Sequence, residues 1–267
     1  MTTTPVQAYL NSSQATKYVN GTYKSDLLFL FTSPIVPPIN HYMTLRVVNL
    51  YVPISFTIIN DTNNTFTLNS VDYTISNGNY TATTLATELM DIVSGNEPSF
   101  TVAFDDITNK YTFDDTDDFT IDGTCLYVLG FDDAATSSSN TLTSTYPVDL
   151  TGDNIIYVDV KNLSTFNVSS STGTRTSIVK SILVNVPYGS VLYHEDAGTS
   201  AFTLFEDHVS FLHVKLYGED SETLLNLNNF DWSITLEFGF VEKAIPPTIP
   251  NRFEDVYTKY VKMLHEN

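Results

Sequence analysis

The chain has 267 residues, of which 42% are hydrophobic, enough for one large domain and a smaller companion with separate cores. Its 12 basic residues stand against 31 acidic ones, a net charge of −19, so it lacks the cationic surplus that phosphate neutralisation needs and nucleic acid is not expected as a main partner. Charged residues make up only 16% of the chain, and the Thr, Ser and Asn that replace them suit half-buried strands and turns better than exposed helices.

The charge is unevenly spread. Residues 61–153 hold 16 of the 31 acidic residues and one basic residue, Lys110, and so carry −15 of the net −19. Residues 1–60 and 154–267 sum to only +2 and −6, and both read as β-strand. The expected organisation is therefore a β domain over 1–60 and 154–245, interrupted by an acidic insertion domain over 61–153 and followed by a linker and helix over 246–267. The single cysteine, Cys125, excludes an intrachain disulfide and a Cys-based zinc site, so nothing demands an oxidising compartment. The opening MTTTPVQAYL has no basic-then-apolar signal pattern, and the longest apolar stretch, Leu45–Ile59, is broken by Arg46, Asn49 and Pro53, so no membrane span is expected.

Residues 1–25 read as an extended arm or peripheral strand. Leu27–Phe31 is an unbroken apolar run bounded by proline, as in a strand buried on both faces. Met43–Leu50 and Val52–Ile59 follow as two strands, with Pro53 marking a bulge or sheet edge between them. Within the acidic stretch, Phe66–Leu68 and Val71–Ile75 turn at Asn69-Ser70. Thr81 or Thr83 caps a short helix with Leu85, Leu89 and Ile92 on one face and Gly95 beyond its end. Phe100–Phe104 and Lys110–Phe113 form a hairpin, Phe119–Ile121 is a further strand, and Leu126–Phe131 is an apolar cluster. The Ser/Thr/Asn-rich stretch Ala134–Ser144 is expected to be a flexible return linker.

Strand patterns resume at Ile155–Val160, Ile178–Val186, Val191–Tyr193, Val209–Tyr217 and Trp232–Phe240. The two β blocks amount to roughly eight core strands, the size of a two-sheet jelly roll. The fold class is thus all-β: a single jelly-roll sandwich interrupted by a smaller α+β insertion domain, with a short C-terminal helix. That helix is expected over Asn251–His265, capped by Asn251 and Glu254. Its residues Phe253, Val256, Tyr257, Tyr260 and Leu264 form one apolar stripe, and a helix so short must bury that stripe against something, which makes it a candidate partner-docking element.

The order of motifs resembles that of the penton (vertex) and minor capsid proteins of the virophage, polinton and giant-virus group of double-stranded DNA viruses. The resemblance is carried by Val209–Asp220 with Leu225–Phe240, Ser181–Tyr193, Leu50–Phe56, and in the acidic stretch by Tyr73–Ala86, Asn109–Phe113 and Leu129–Phe131. It implies a virion protein assembled as a homopentamer at capsid fivefold vertices, beside the major capsid protein and other minor capsid proteins, with the inserted domain outward. The tail 246–267 matches no motif of that family.

No chemistry competes strongly with a structural role. Asp114, Asp115, Asp117 and Asp118 offer oxygen ligands but lack the spacing of an EF-hand loop, and these, Asp105-Asp106 and Asp132-Asp133 read first as turn residues. His208 and His213 are five apart, on opposite faces of a strand, and His194-Glu195-Asp196 falls in an expected loop, so a cupin-like metal enzyme is disfavoured. No nucleophile elbow or phosphate loop is present, and Cys125 has the apolar neighbours of a packing residue. No catalytic residue, metal or cofactor is therefore assigned. The alternative reading is a carbohydrate- or receptor-binding β-sandwich module, with the insert supplying the site.

Overall fold

A computed structural model of the chain describes residues 4–21, 23–163, 176–198 and 201–243. The tail stripe Phe253, Val256, Tyr257, Tyr260 and Leu264 and the linker before it lie outside the described residues.

The first block contains β1 (Val6–Asn11), β2 (Lys17–Tyr18), β3 (Asp26–Ile35) and β4 (His41–Pro53). The expectation of separate strands before and after Pro53 is corrected: β4 is one 13-residue strand that ends at Pro53, and residues 54–58 carry no ladder. Past Pro53, Ile54 stays tied to the neighbouring strand, donating to Ser190 O and accepting from Gly189 N–H, before the chain leaves the sheet.

Residues 54–154 run between β4 and β12 and build a second body. It contains β5 (Thr65–Leu68), β6 (Val71–Thr74), α1 (Ala82–Val93), β7 (Thr101–Asp105), β8 (Lys110–Asp114), β9 (Thr120–Asp122), β10 (Ala135–Thr136) and β11 (Thr141–Thr143). These strands form two small sheets, β10-β9-β5-β6 and β11-β8-β7. Asn69 and Ser70 both have positive φ, which turns β5 tightly into β6. Thr81 caps α1 in a reciprocal capping box with Thr84, and the helix buries Leu85, Ala86, Leu89 and Val93. The flexible linker expected at Ala134–Ser144 is instead β10 and β11, paired to β9 and β8. Its hydroxyls bind other strands: Ser137 donates to Asp118 and accepts from the Phe119 N–H, Ser144 accepts from the Tyr111 N–H, and Thr136 meets Thr120. Composition of this kind signals a linker only where the hydroxyls have no such partners.

The last block contains β12 (Ile155–Val160), β13 (Ile178–Leu183), β14 (Val191–Glu195), β15 (Phe202–Thr203), β16 (Val209–Tyr217) and β17 (Ser233–Glu242). Two sheets result, β1-β17-β4-β14 with β15 beside β4, and β13-β12-β16-β3-β2, antiparallel throughout. Among the eight long strands the first pairs with the last (β1 with β17), the second with the seventh (β3 with β16), the third with the sixth (β4 with β14) and the fourth with the fifth (β12 with β13). A hairpin doubled over in this way and wrapped across two sheets is a jelly roll.

Leu27, Phe29, Leu45, Val47, Ile156, Val158, Leu212, Val214, Leu236 and Phe238 fill the space between the sheets. Trp232, 1% exposed, lies edge-on to Phe29 at 6.4 Å and donates its indole N–H to the Lys24 carbonyl, so it is a core residue. The apolar run Leu27–Phe31 is not buried on both faces: Leu27 and Phe29 face the core, while Leu30 is 57% exposed on the outside. Among the described residues, a second, separate core holds Phe66, Phe100, Tyr111, Phe113, Phe119 and Phe131, all belonging to residues 59–131.

The connections sort to two poles. Residues 54–58 and 152–154, the turn 187–190 and the loop 218–231 meet at one pole, through bonds such as Ile54 N–H to Ser190 O and Asn154 N–H to Glu219 Oε2. At the other pole β17 ends, where Lys243 N–H bonds Asn40 O in the β3–β4 connection. The chain therefore leaves the sandwich toward residue 244 at the pole opposite the acidic body.

Candidate functional site

Among the described residues, the surfaces that could bind other molecules include the outer faces of the two sheets. The outer face of β12-β16-β3 is built around a buried charge network. Alternation puts Asp26, His213, Lys215, Asp159 and Tyr217 on this side, because their neighbours Leu27, Leu212, Val214, Leu216 and Val158 point inward. Asp26, with a side chain only 4% exposed, lies 2.6 Å from His213 Nε2 and 3.2 Å from Lys215 Nζ. Asp159, 1% exposed, takes Lys161 Nζ at 2.7 Å, while its Oδ1 is buried without a partner among the described residues. Both ammonium groups lie near the Tyr217 ring, at 5.5 and 6.0 Å from its centre. Burial lowers the pKa of Lys161, but its bond to Asp159, the charge of that carboxylate and the neighbouring Tyr217 together outweigh this and raise it above the usual lysine value. Carboxylates this deep are tolerable only when paired, so the network locks the register of three strands. Around it the face is apolar: Leu30 opposes Phe211, Leu183 opposes Ile155, and Leu30 and Leu183 are more than half exposed.

The outer face of the other sheet carries Tyr51 stacked on Tyr193 with ring centres 4.7 Å apart, and Tyr9 lies 74% exposed on the edge strand. The Tyr193 hydroxyl donates to Glu195, which holds its phenol up to about 12. Nearby, Gln7 and Arg46 both donate to Glu237 and hold its carboxyl below the usual range. Exposed aromatic rings with polar ends among charged pairs are the composition of protein interfaces.

The residues weighed for chemistry from the sequence are not brought together. Asp114 accepts from Thr141, Asp115 from Ser99, and Asp118 from Asn140 N–H and Ser137, so these carboxylates order turns around β8 to β11; Asp117 is exposed. Asp105 caps its own hairpin, and the Ile107 N–H holds its carboxyl below the usual range. Among the described residues no three His, Cys, Asp or Glu side chains form a group that could hold a metal ion. Cys125 is fully buried, and that burial pushes its thiol to about 12. The expectation of a loop at His194-Glu195 is corrected: both lie in β14, where the long β4 supplies partners at Leu50 and Asn49. Burial, and then the charge of Lys180, hold the His194 imidazole below its usual value. Sequence reasoning missed the charge network entirely. Its one visible trace is in β16, where His213 and Lys215 alternate with the apolar Leu212, Val214 and Leu216.

No family model matches the chain, and no curated protein matches it. Among solved structures it is similar to the crystal structure of the mavirus penton protein, at 10% identity and a TM-score of 0.49, over 88% of this chain and 100% of that one. At that score and identity the likeness stands as a similarity only.

Proposed function

We propose that the chain is a structural, non-enzymatic virion protein, a jelly-roll penton (vertex) or minor capsid protein that forms homopentamers at icosahedral fivefold vertices. In this reading the flanks of the sandwich meet neighbouring copies and capsomers, including the major capsid protein, and the acidic body faces outward. A jelly roll alone assigns no function. The observation that carries the reading is the polarity of the molecule: the acidic body leaves the sandwich at one pole and the chain continues toward the tail at the other. The order of strand motifs that resembles the penton group adds to it, as do the apolar and aromatic rims of both outer faces.

The tail stripe Phe253, Val256, Tyr257, Tyr260 and Leu264 is the element that docks on another capsid component. Its linker contains Pro246, Pro247 and Pro250, which stiffen it and hold the stripe away from the parent sandwich. Native mass spectrometry of the full chain tests the assembly, with rings of five as the expected species and a monomer at every concentration and pH as the result against it. Truncation after Ile245 tests the tail. Unchanged melting with lost co-assembly supports docking, whereas a melt several degrees lower assigns the helix to its own subunit's core.

A further inference from the structure

Where the acidic body joins the sandwich, three adjoining hollows of about 330, 220 and 320 Å3 lie in a row. The first and second share Tyr127 and Asp149 as a common wall, and the second and third share Thr57, Asn60, Asp153 and Thr223. Together they form a groove that starts on the acidic body and ends under the β16–β17 loop. Much of its lining is apolar or aromatic. Tyr127 and Tyr146, 71% and 50% exposed, flank one end, and Tyr23 and Phe56 line the other.

The base of the groove is held rigidly. Gly130, at φ +86, packs so closely that an added Cβ would lie 2.3 Å from the Tyr146 carbonyl, and its own carbonyl accepts the Tyr146 N–H at 2.9 Å. At the junction Asp153 accepts the Glu219 N–H at 2.8 Å, tying the return of the acidic body to the β16–β17 loop.

The charge of the groove is one-sided. Asp61, Asp132, Asp149, Asp153, Asp220 and Glu222 line it, and none of the described residues lining it is Lys, Arg or His. Burial raises the pKa of Asp153 most, the Glu219 N–H works against it, and the neighbouring Asp220 and Glu219 charges raise it further. The carboxylates are strung along three hollows, so a single small cation could neutralise only a fraction of them. A polymer with repeated cations could meet them all.

We propose that this groove docks an extended, Lys/Arg-rich segment of a partner protein, with its cationic side chains seated between the carboxylates and the tyrosine faces. Aromatic walls with carboxylates beside them suit guanidinium and ammonium groups, which are drawn to ring faces and to anions at once. The −15 carried by residues 61–153 would steer such a segment toward the groove and repel anionic ligands such as nucleic acid or sulfated glycans. The inference goes beyond the capsid reading and does not depend on it, since it rests on the lining of the groove alone.

The test is fluorescence anisotropy of the full chain with a fluorescein-labelled decapeptide of alternating Arg and Ser, at low and high NaCl. Binding is expected, and it should weaken steeply with salt as surface charge attraction is screened. Tyr127→Ala combined with Asp132→Asn and Glu222→Gln should weaken it by about tenfold or more, consistent with loss of a ring face and two charges. The same number of charges removed elsewhere on the acidic body, by Asp91→Asn with Asp117→Asn, should leave it unchanged. Circular dichroism of each variant verifies that it folds. No binding of the peptide, equal loss in the control variant, or salt-insensitive binding of a neutral oligosaccharide that competes for Tyr127 would overturn the proposal.

Discussion

Replacing Phe113 with alanine should destabilise the acidic body and leave the sandwich untouched. Phe113 is fully buried on β8, with ring centres of Phe100, Tyr111 and Phe131 at 6.0, 5.9 and 5.9 Å, and all four rings belong to the second core. Truncating a buried phenylalanine costs about 3–5 kcal/mol in lost transfer energy and cavity formation. A unit of roughly 90 residues holds about 5–14 kcal/mol in total, so the variant should keep a folded population at room temperature over all but the bottom of that range. Each kcal/mol moves the midpoint of a unit that size by about 4–8 °C, which predicts a drop of roughly 12–40 °C. Differential scanning calorimetry is the assay: two transitions in the parent chain, of which Phe113→Ala lowers one and leaves the other within about 2 °C, the scatter expected for independent sites. A single transition that moves as a whole would refute the reasoning, because the two cores would then melt as one cooperative unit.

Gly123→Ala should lower the same transition, by at least about 2 kcal/mol in a urea titration, because residue 123 has φ +117 and a Cβ there would lie 2.3 Å from the Thr65 carbonyl. Asp26→Ala should lower the sandwich transition by about 3–5 kcal/mol, since it strands His213 and Lys215 beside a buried site, and adding Lys215→Met should cost less than the sum of the two changes. Glu237 is held below its usual 4.5 by the Gln7 amide and Arg46, so its contribution is present above pH 4.5 and is lost as pH falls through the depressed folded value. The urea midpoint of the parent should accordingly fall more steeply below pH 4.5 than that of Glu237→Gln, and parallel curves would remove Glu237 from the acid limb.

What could be read in the sequence was local. The Asn69-Ser70 turn, the Thr81 cap and the hairpin around Asp105–Asn109 are fixed by residues within a few positions of one another, and the structure has all three. Errors arose where a distant partner decides. Ala134–Ser144 became strand because β8 and β9 offer it edges, and His194 entered the sheet because β4 runs on beside it. Leu30 stayed exposed because its face of the sheet has no covering layer among the described residues, which an unbroken apolar run does not reveal. The charge network and the acidic groove were illegible for the same reason. Asp26 meets residues 187 positions away, and the groove gathers Tyr23, Asn60, Asp149 and Glu222 from connections that are neighbours only once the sandwich has closed.

The nested pairing of the sandwich also governs how the chain is made. Gln7 sits opposite Glu237, so the first strand has no neighbour in its own sheet until residues 233–238 have been made. Pairings this remote in sequence form slowly, because the loop must close before any contact rewards it. The acidic body needs nothing beyond about residue 150 for its core and can complete itself while the strands ahead of it still wait with apolar faces open. The order of synthesis therefore favours the acidic body, whose core closes over a short span of sequence, over the sandwich, whose edge strand must wait for a partner about 230 residues away.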